Sequence, residues 1–266
     1  MTPDLTALLP QVVTLVKSVG RFIRTEAENF DRTRMESKHG FNNLVSYVDK
    51  EAEQKLVDEL KKLLPQAGFL AEEGTTPVAH SGYRWIIDPL DGTTNFMHNL
   101  PPYAVSVALA DGDRLLLGVV YEIGRDECFH ALLHHGAFCN NRSIKVSPIN
   151  RLSESLLATG FPYSQSDKQD AYLDIIKKFL DNTHGIRRFG SASVDLAYVA
   201  CGRIEGFFEY NLNAWDVAAG ALIVMEAGGT VTDFSGKENY LHGGELIAAG
   251  PVHASMQKII YADWFS

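Results

Sequence analysis

The stretch Tyr83-Arg84-Trp85-Ile86-Ile87-Asp88-Pro89-Leu90-Asp91-Gly92-Thr93-Thr94-Asn95-Phe96 decides how this 266-residue chain is read. Trp85, Ile86 and Ile87 read as the end of a buried strand, after which Pro89 and Gly92 force a tight turn. The turn carries two carboxylates, two hydroxyls and exposed backbone amides. Carboxylates at i and i+3 across a turn can converge on one point, and converging oxygens suit a hard cation such as Mg²⁺, usually held by few carboxylates plus waters and a substrate phosphate. A strand-to-loop turn whose Asp and Thr side chains cap the backbone accounts for the same residues. The segment alone leaves both readings open.

Just upstream, Gly68-Phe69-Leu70-Ala71 reads as a short strand that delivers Glu72, Glu73 and Gly74. Neighbouring carboxylates repel unless they are solvated or bridged by a cation, so a solvated loop and a metal ligand both fit. Further back, Ser46-Tyr47-Val48-Asp49 resembles a capping box opening a helix that ends near Leu64-Pro65, with Ala52, Leu56, Leu60 and Leu63 on its apolar face. Asp49 suits a cap or a ligand equally. Between Leu5 and Glu28 the apolar residues recur at helical spacing, whereas Asn29 to Phe41, including Lys38, reads as a polar loop.

Downstream, Tyr103–Leu109, Arg114–Tyr121, Glu127–Leu132 and Ser143–Val146 are strand-like runs joined by turn residues, which predicts an antiparallel meander. His134 and His135 lack an i, i+4 partner and read as surface residues. Beyond Pro148 strands and helices alternate: strands at Leu156–Thr159, Gly185–Phe189, Arg203–Glu209, Thr230–Phe234 and Glu245–Ala249, helices at Asp167–Leu180, Ser193–Cys201 and Val252–Ile260. Asn213 reads as the N-cap of a further helix running to Ala227 and stopped by Gly228-Gly229. Asp216 falls in its first turn, where an acid meets the helix dipole favourably. The change of pattern predicts two halves: residues 1–147, with the antiparallel sheet and most candidate ligands, and residues 148–266, an α/β half contributing Asp216 and substrate contacts.

With 45% hydrophobic residues the chain is too apolar for disorder. Its formal charge of −9 argues against a general affinity for nucleic acid, so an anionic substrate needs a local positive centre, for which bound metal is a candidate. Cys128, Cys139 and Cys201 form no C-x-x-C pair and suggest neither a disulfide framework nor a zinc site. No signal peptide and no run of the ~18 apolar residues needed to span a membrane is seen, so a cytoplasmic protein without membrane attachment is expected.

The chain resembles the inositol monophosphatases. Trp85 to Phe96 looks like the first signature of that family, and Trp215-Asp216-Val217-Ala218-Ala219-Gly220 with Glu226-Ala227-Gly228-Gly229 looks like the second. Weaker matches lie at Lys38, Val45–Asp49, Phe69–Gly74, Gly136–Asn140, Gly190-Ser191-Ala192 and Glu209, so the resemblance covers nearly the whole chain. It implies an α+β / α/β fold, the layered αβαβα sandwich of the inositol monophosphatase and fructose-1,6-bisphosphatase type. It further implies Mg²⁺-dependent hydrolysis of a phosphate monoester by a homodimer, with two to three ions per site. Glu72, Asp88 and the Leu90 carbonyl would hold the first ion, Asp88, Asp91 and Asp216 the second, and Glu72 would lie near a third.

The same resemblance makes Thr93, paired with Asp49, the group that orients and deprotonates the attacking water. It gives Asp91, Gly190, Ser191, Ala192, Glu209 and Asp216 substrate contacts, and makes Lys38 part of a loop near the site. The amides of Gly92 and Thr93 would bind phosphate. In phosphate monoester hydrolysis one metal lowers the pKa of the water and a second stabilises the departing alkoxide, roughly 3.5–4 Å away.

The expected substrate is myo-inositol 1-phosphate or a related polyol or sugar phosphate. Fructose 1,6-bisphosphate, histidinol phosphate and 3′-phosphoadenosine 5′-phosphate are the alternatives, and a docking module in a transcription complex is a reading of a different class. Glu209 favours a polyol, because a Glu at this place in the family accepts hydrogen bonds from inositol hydroxyls. Thr94-Asn95 stands where the nucleotide-specific relatives have Lys and Glu. Gly74 replaces a Ser or Thr common in the family, and Thr159-Gly160-Phe161-Pro162 resembles bacterial members. Inhibition by Li⁺ is implied as well, weakened where Lys38-His39-Gly40 replaces the Lys-Ser-Ser of the animal enzymes.

Overall fold

Asp4 caps the first helix, Leu5–Glu28 (α1), by accepting the Thr6 and Ala7 amides at 3.1 Å. The computed structural model describes residues 3–30, 36–37, 44–74, 82–161 and 167–266. Within the stretch read as a polar loop, Glu36–Ser37 (β1) pairs with Leu44–Val45 (β2), while Lys38 lies outside the described residues. The predicted capping box opens Tyr47–Leu63 (α2): Ser46 Oγ accepts the Val48 amide and Asp49 Oδ2 accepts the Ser46 amide at 2.8 Å.

Gly68–Ala71 (β3) and Tyr83–Asp91 (β4) then pair in parallel, and Thr93–Met97 (α3) follows. The meander is Ala104–Asp111 (β5), Arg114–Glu122 (β6), Glu127–Leu132 (β7), Ala137–Cys139 (β8) and Arg142–Ile144 (β9), antiparallel throughout. These seven strands form one sheet in the order β3-β4-β5-β6-β7-β8-β9.

The remainder comprises Leu156–Thr159 (β10), Gln169–Asn182 (α4), Gly185–Arg187 (β11), Ala192–Ala200 (α5), Gly206–Tyr210 (β12), Ala214–Glu226 (α6), Thr230–Thr232 (β13), Glu245–Ala249 (β14) and His253–Trp264 (α7). Its strands form a mixed sheet ordered β11-β10-β12-β14-β13. The final helix extends past the expected end at Ile260. Its last turn buries Trp264 but exposes Tyr261 and Phe265, so no apolar stripe marks it in the sequence.

Period-2 alternation sorts the strand side chains into layers. Trp85, Ile87, Val105, Val107, Val119 and Tyr121 face a core shared with α1 and α2. Ile86, Ala108, Val120 and Phe129 face the opposite way, onto α5 and α6, and the same core takes in Ala158, Phe207, Leu246 and Ala248 from the second sheet. Leu157, Phe208 and Ile247 turn to the outer layer of α4 and α7. The order of layers is therefore α1/α2, sheet, α5/α6, sheet, α4/α7, the expected αβαβα sandwich.

Lying between two sheets, α5 and α6 are apolar on nearly every side, which explains their lack of an amphipathic stripe. Close packing of α6 depends on Gly118 in β6, where a Cβ atom would come within 2.7 Å of the Ala219 carbonyl oxygen.

Glu226, at the end of α6, accepts the amides of His134 at 2.7 Å and Gly136 at 2.8 Å, one on each carboxylate oxygen. It pins the β7–β8 turn, where His134 has φ 67° and both His134 and His135 are exposed. Charge-assisted hydrogen bonds of this kind contribute about 1.5–3 kcal/mol each when sheltered and less when solvated. Glu226→Ala is expected to lower the melting temperature by several degrees while kcat and KM keep their values. Differential scanning fluorimetry beside a steady-state assay checks this; a selective loss of kcat would instead give Glu226 a part in the chemistry.

Candidate active site

The decisive segment is the end of β4, and its geometry differs from a plain strand. Residues an odd number apart on a regular strand point to opposite faces, which would separate Asp88 from Asp91. Here Asp88 pairs with Ser106 and Asp91 with Ala104, so three steps along β4 oppose two along β5. This one-residue bulge restores both carboxylates to one side of the sheet edge. It falls at Pro89-Leu90, where proline's missing N–H removes a ladder bond. Gly92 follows with φ 91°, and a Cβ there would meet the Gly190 and Pro102 carbonyl oxygens at 3.1 Å, so glycine alone lets the two halves of the chain close at this point.

Each acid of the segment is tethered through one oxygen. Asp88 Oδ1 accepts the Leu90 amide at 3.0 Å. Asp91 Oδ2 accepts the Ser191 hydroxyl at 2.8 Å and the Ser193 amide at 2.7 Å, both from the start of α5. Asp216 Oδ2 accepts the Asn213 amide at 2.6 Å, forming the capping box that starts α6. Ser106, opposite Asp88, donates to the Trp215 carbonyl at 3.4 Å and so links the sheet to the turn bearing Asp216. Asp49 is the cap that its spacing suggested, Oδ2 capping α2, while Oδ1 accepts the Thr93 hydroxyl at 2.9 Å, the pairing that the family resemblance implied. The same hydroxyl lies 3.0 Å from the Leu90 carbonyl.

Electrostatics place these groups in one neighbourhood. Burial, and then the negative charge of Glu72, Asp91 and Asp216, push the Asp88 carboxyl well above the usual range. Burial and Asp91 act first on Asp216, with Glu72 and Glu209 adding to them. Asp91 is raised by burial against the bonds from α5, and Asp49 is raised by burial against its bonds from Ser46 and Thr93. Glu209, at the end of β12, is pushed up to about 8 by burial and by Asp91, with the Arg188 guanidinium opposing. Its carboxylate fills the space where Gly160 would carry a side chain.

The structure thus brings together Asp49, Glu72, Asp88, Leu90, Asp91, Gly92, Thr93, Gly190, Ser191, Ala192, Glu209 and Asp216 from the predicted set; Lys38 falls outside the described residues. Among the described residues, no three His, Cys, Asp or Glu side chains close on one point at ligand distance. The acids are gathered by field, and three of the four candidate metal ligands are turned onto their own donors. Four clustered carboxylates joined by a backbone carbonyl make an all-oxygen donor set, the chemistry that suits a hard divalent cation.

Sequence reasoning passed over Asp195. It is 1% exposed on α5, its Oδ1 has no hydrogen-bond partner among the described residues, and burial with the charges of Glu209 and Asp91 pushes it well above the usual carboxylate range. An acid inside the apolar run Ala192–Ala200 was the available signal.

Residues 4–264 match the inositol monophosphatase family. The chain is 47% identical over 248 residues to a SuhB protein of Neisseria meningitidis serogroup B, covering 92% of this chain and 95% of the relative. It is 40% identical over 245 residues to the Nus factor SuhB of Escherichia coli K12, covering 92% and 91%. Among solved structures, the extragenic suppressor protein suhB of Bartonella henselae superposes with a TM-score of 0.88 at 37% identity, covering 96% of this chain and 98% of the other. The IMPase of Thermotoga maritima gives 0.87 at 36% identity, covering 96% and 97%.

Proposed function

Because the chain belongs to the inositol monophosphatase family, we propose that it is a Mg²⁺-dependent phosphatase for a small phosphate monoester, with myo-inositol 1-phosphate or a related polyol phosphate as substrate. The observation that carries this reading is the acidic cluster of Glu72, Asp88, Asp91 and Asp216, in which Asp88 is buried and the others half-buried, and whose charges raise the proton affinity of Asp88 and of Asp216. Glu72, Asp88 and the Leu90 carbonyl would hold one ion; Asp88, Asp91 and Asp216 would hold a second; Glu72 would adjoin a third. When bound, Mg²⁺ supplies activation of water and neutralisation of the charge that develops on the leaving oxygen.

The chain's own residues do the rest. Thr93 donates its proton to Asp49, which leaves the lone pairs of Thr93 Oγ1 to accept the proton of the attacking water. Burial raises the basicity of Asp49 and suits it to the far end of that relay. The first amides of α3, which the helix leaves unsatisfied, would receive phosphate oxygens. Glu209 receives substrate hydroxyls and favours a polyol leaving group. Three unpaired thiols are compatible with a reducing cytoplasm. No helix among the described residues is long and apolar enough to cross a membrane.

Purified protein is expected to release phosphate from myo-inositol 1-phosphate with Mg²⁺ and to lose that activity in EDTA. Parallel assays with fructose 1,6-bisphosphate, histidinol phosphate and 3′-phosphoadenosine 5′-phosphate rank the alternatives. The absence of Mg²⁺-dependent release from every polyol and sugar phosphate would overturn the reading. Light scattering tests the expected homodimer against the 29.4 kDa chain.

Li⁺ is expected to inhibit uncompetitively with substrate, by entering the site of Asp88, Asp91 and Asp216 before phosphate leaves. The inhibition is expected to be weaker than in animal relatives, since changes around a metal site alter its affinity by about 10–100-fold. Inhibition curves at fixed Mg²⁺ decide this; a purely competitive pattern, or none at high Li⁺, would reject the second site as assigned.

A second reading rests on the names of the SuhB relatives of Neisseria meningitidis and Escherichia coli, both of which include the words Nus factor. Docking to a transcription complex would use a basic protein partner, as the −9 charge favours, over direct nucleic-acid contact. A tagged chain is expected to retain a stoichiometric transcription protein from native extract; its return alone would reject this reading.

A further inference from the structure

Two buried acids stand one helical turn apart on α2: Asp49, 1% exposed, and Glu53, 0% exposed. Asp49 reaches forward to Thr93. Glu53 reaches the other edge of the site, where its Oε2 accepts the Glu73 amide at 2.7 Å. The residue before, Glu72, donates its own amide to the Ile87 carbonyl at 3.2 Å, one step beyond the last β3–β4 pair. The backbone on both sides of the Glu72 carboxylate is therefore held, by the sheet on one side and by α2 on the other. The strand ends at Ala71 and the chain turns away through Gly74, with φ 68°, so no β3–β4 pair extends to Glu73.

We infer that Glu53 is a positioning residue that sets the Glu72 carboxylate for Mg²⁺ by fixing the Glu73 amide. The inference rests on the reading of Glu72 as a metal ligand. It makes α2 a common brace for the proton-relay side and the cation side of the site. The function of Glu53 is that of an acceptor at a fixed reach, so an uncharged acceptor of equal length serves and a shorter charged one does not.

The test compares the full-length protein with Glu53→Gln, Glu53→Asp and Glu53→Ala. Mg²⁺ affinity is measured by titration calorimetry and by the Mg²⁺-induced rise in melting temperature, beside Mg²⁺ activation curves. Loss of a partner outside the ligand set typically weakens metal binding by about 10–100-fold. Glu53→Gln is expected to bind Mg²⁺ like the unsubstituted chain, and Glu53→Asp and Glu53→Ala about 10-fold or more weakly, with most of kcat regained at saturating Mg²⁺. Where Glu53→Ala fails to fold, the contrast between Gln and Asp decides.

A role in stability alone would lower the melting temperature in EDTA without moving Mg²⁺ affinity, and that result overturns the inference. So does the reverse pattern, in which Asp is silent and Gln is weak. Saturable Mg²⁺ binding to the unsubstituted chain with unchanged binding in all three variants rejects Glu53 and keeps the metal reading. No saturable binding to the unsubstituted chain rejects both.

Discussion

Asp88→Asn is expected to lower kcat/KM by about 10²–10⁴-fold, since Asp88 would serve both ion sites and losses of about 10–100-fold at each multiply. The same substitution is expected to leave the melting temperature in EDTA unchanged or raise it. Asp88 is 2% exposed, and Glu72, Asp91 and Asp216 all oppose its ionisation, so its charge is held against burial and against its neighbours. Asparagine keeps an oxygen for the Leu90 amide, now at 3.0 Å from Oδ1, and removes the charge. One kcal/mol gained corresponds to roughly 2–4 °C for a chain of this size class. Activity assays and melting curves on the same preparation check both halves. A variant that loses stability and activity together would mean that Asp88 is chiefly structural.

Thr93→Val is expected to lower kcat by about 10²–10⁴-fold, the range that positioned proton transfer contributes, with KM little changed. Valine matches threonine in shape but brings no hydroxyl to Asp49 Oδ1 or to the attacking water. It also strands the buried Asp49 oxygen, which costs about 1–3 kcal/mol, so assays belong well below the melting temperature. Thr93→Ser retains the hydroxyl and is expected to recover most of the rate. If serine were as inactive as valine, the methyl group rather than the proton path would be what Thr93 provides, and the relay to Asp49 would have to be abandoned.

Much of this site was legible in the sequence because its parts are local. Ser46 and Asp49 cap a helix at three-residue spacing, Asn213 and Asp216 do the same, and Asp88, Asp91 and Thr93 fall within six residues at the end of β4 and the start of α3. What could not be read is where separate segments meet. The i, i+3 spacing of Asp88 and Asp91 predicts convergence only because a bulge sits between them, and bulges follow from pairing with β5. Glu53 lies on a helix whose burial comes from another layer, so a solvated helix face and a buried bond give the same local pattern. The approach of Gly118 to Ala219 likewise joins residues that no local period connects.

The bonds from Ser191 and Ser193 to Asp91 span 100 and 102 positions of the chain. During synthesis at about 5–20 residues per second, the Asp91 turn would wait roughly 5–20 s before the start of α5 leaves the ribosome to meet it. In that interval the nascent chain carries an exposed acidic edge and an uncovered apolar sheet face, the very face that α5 and α6 later occupy. Release of a chain stopped before Asp216 would yield a product that is sticky as well as inactive, because the apolar sheet face would lack the helices that cover it.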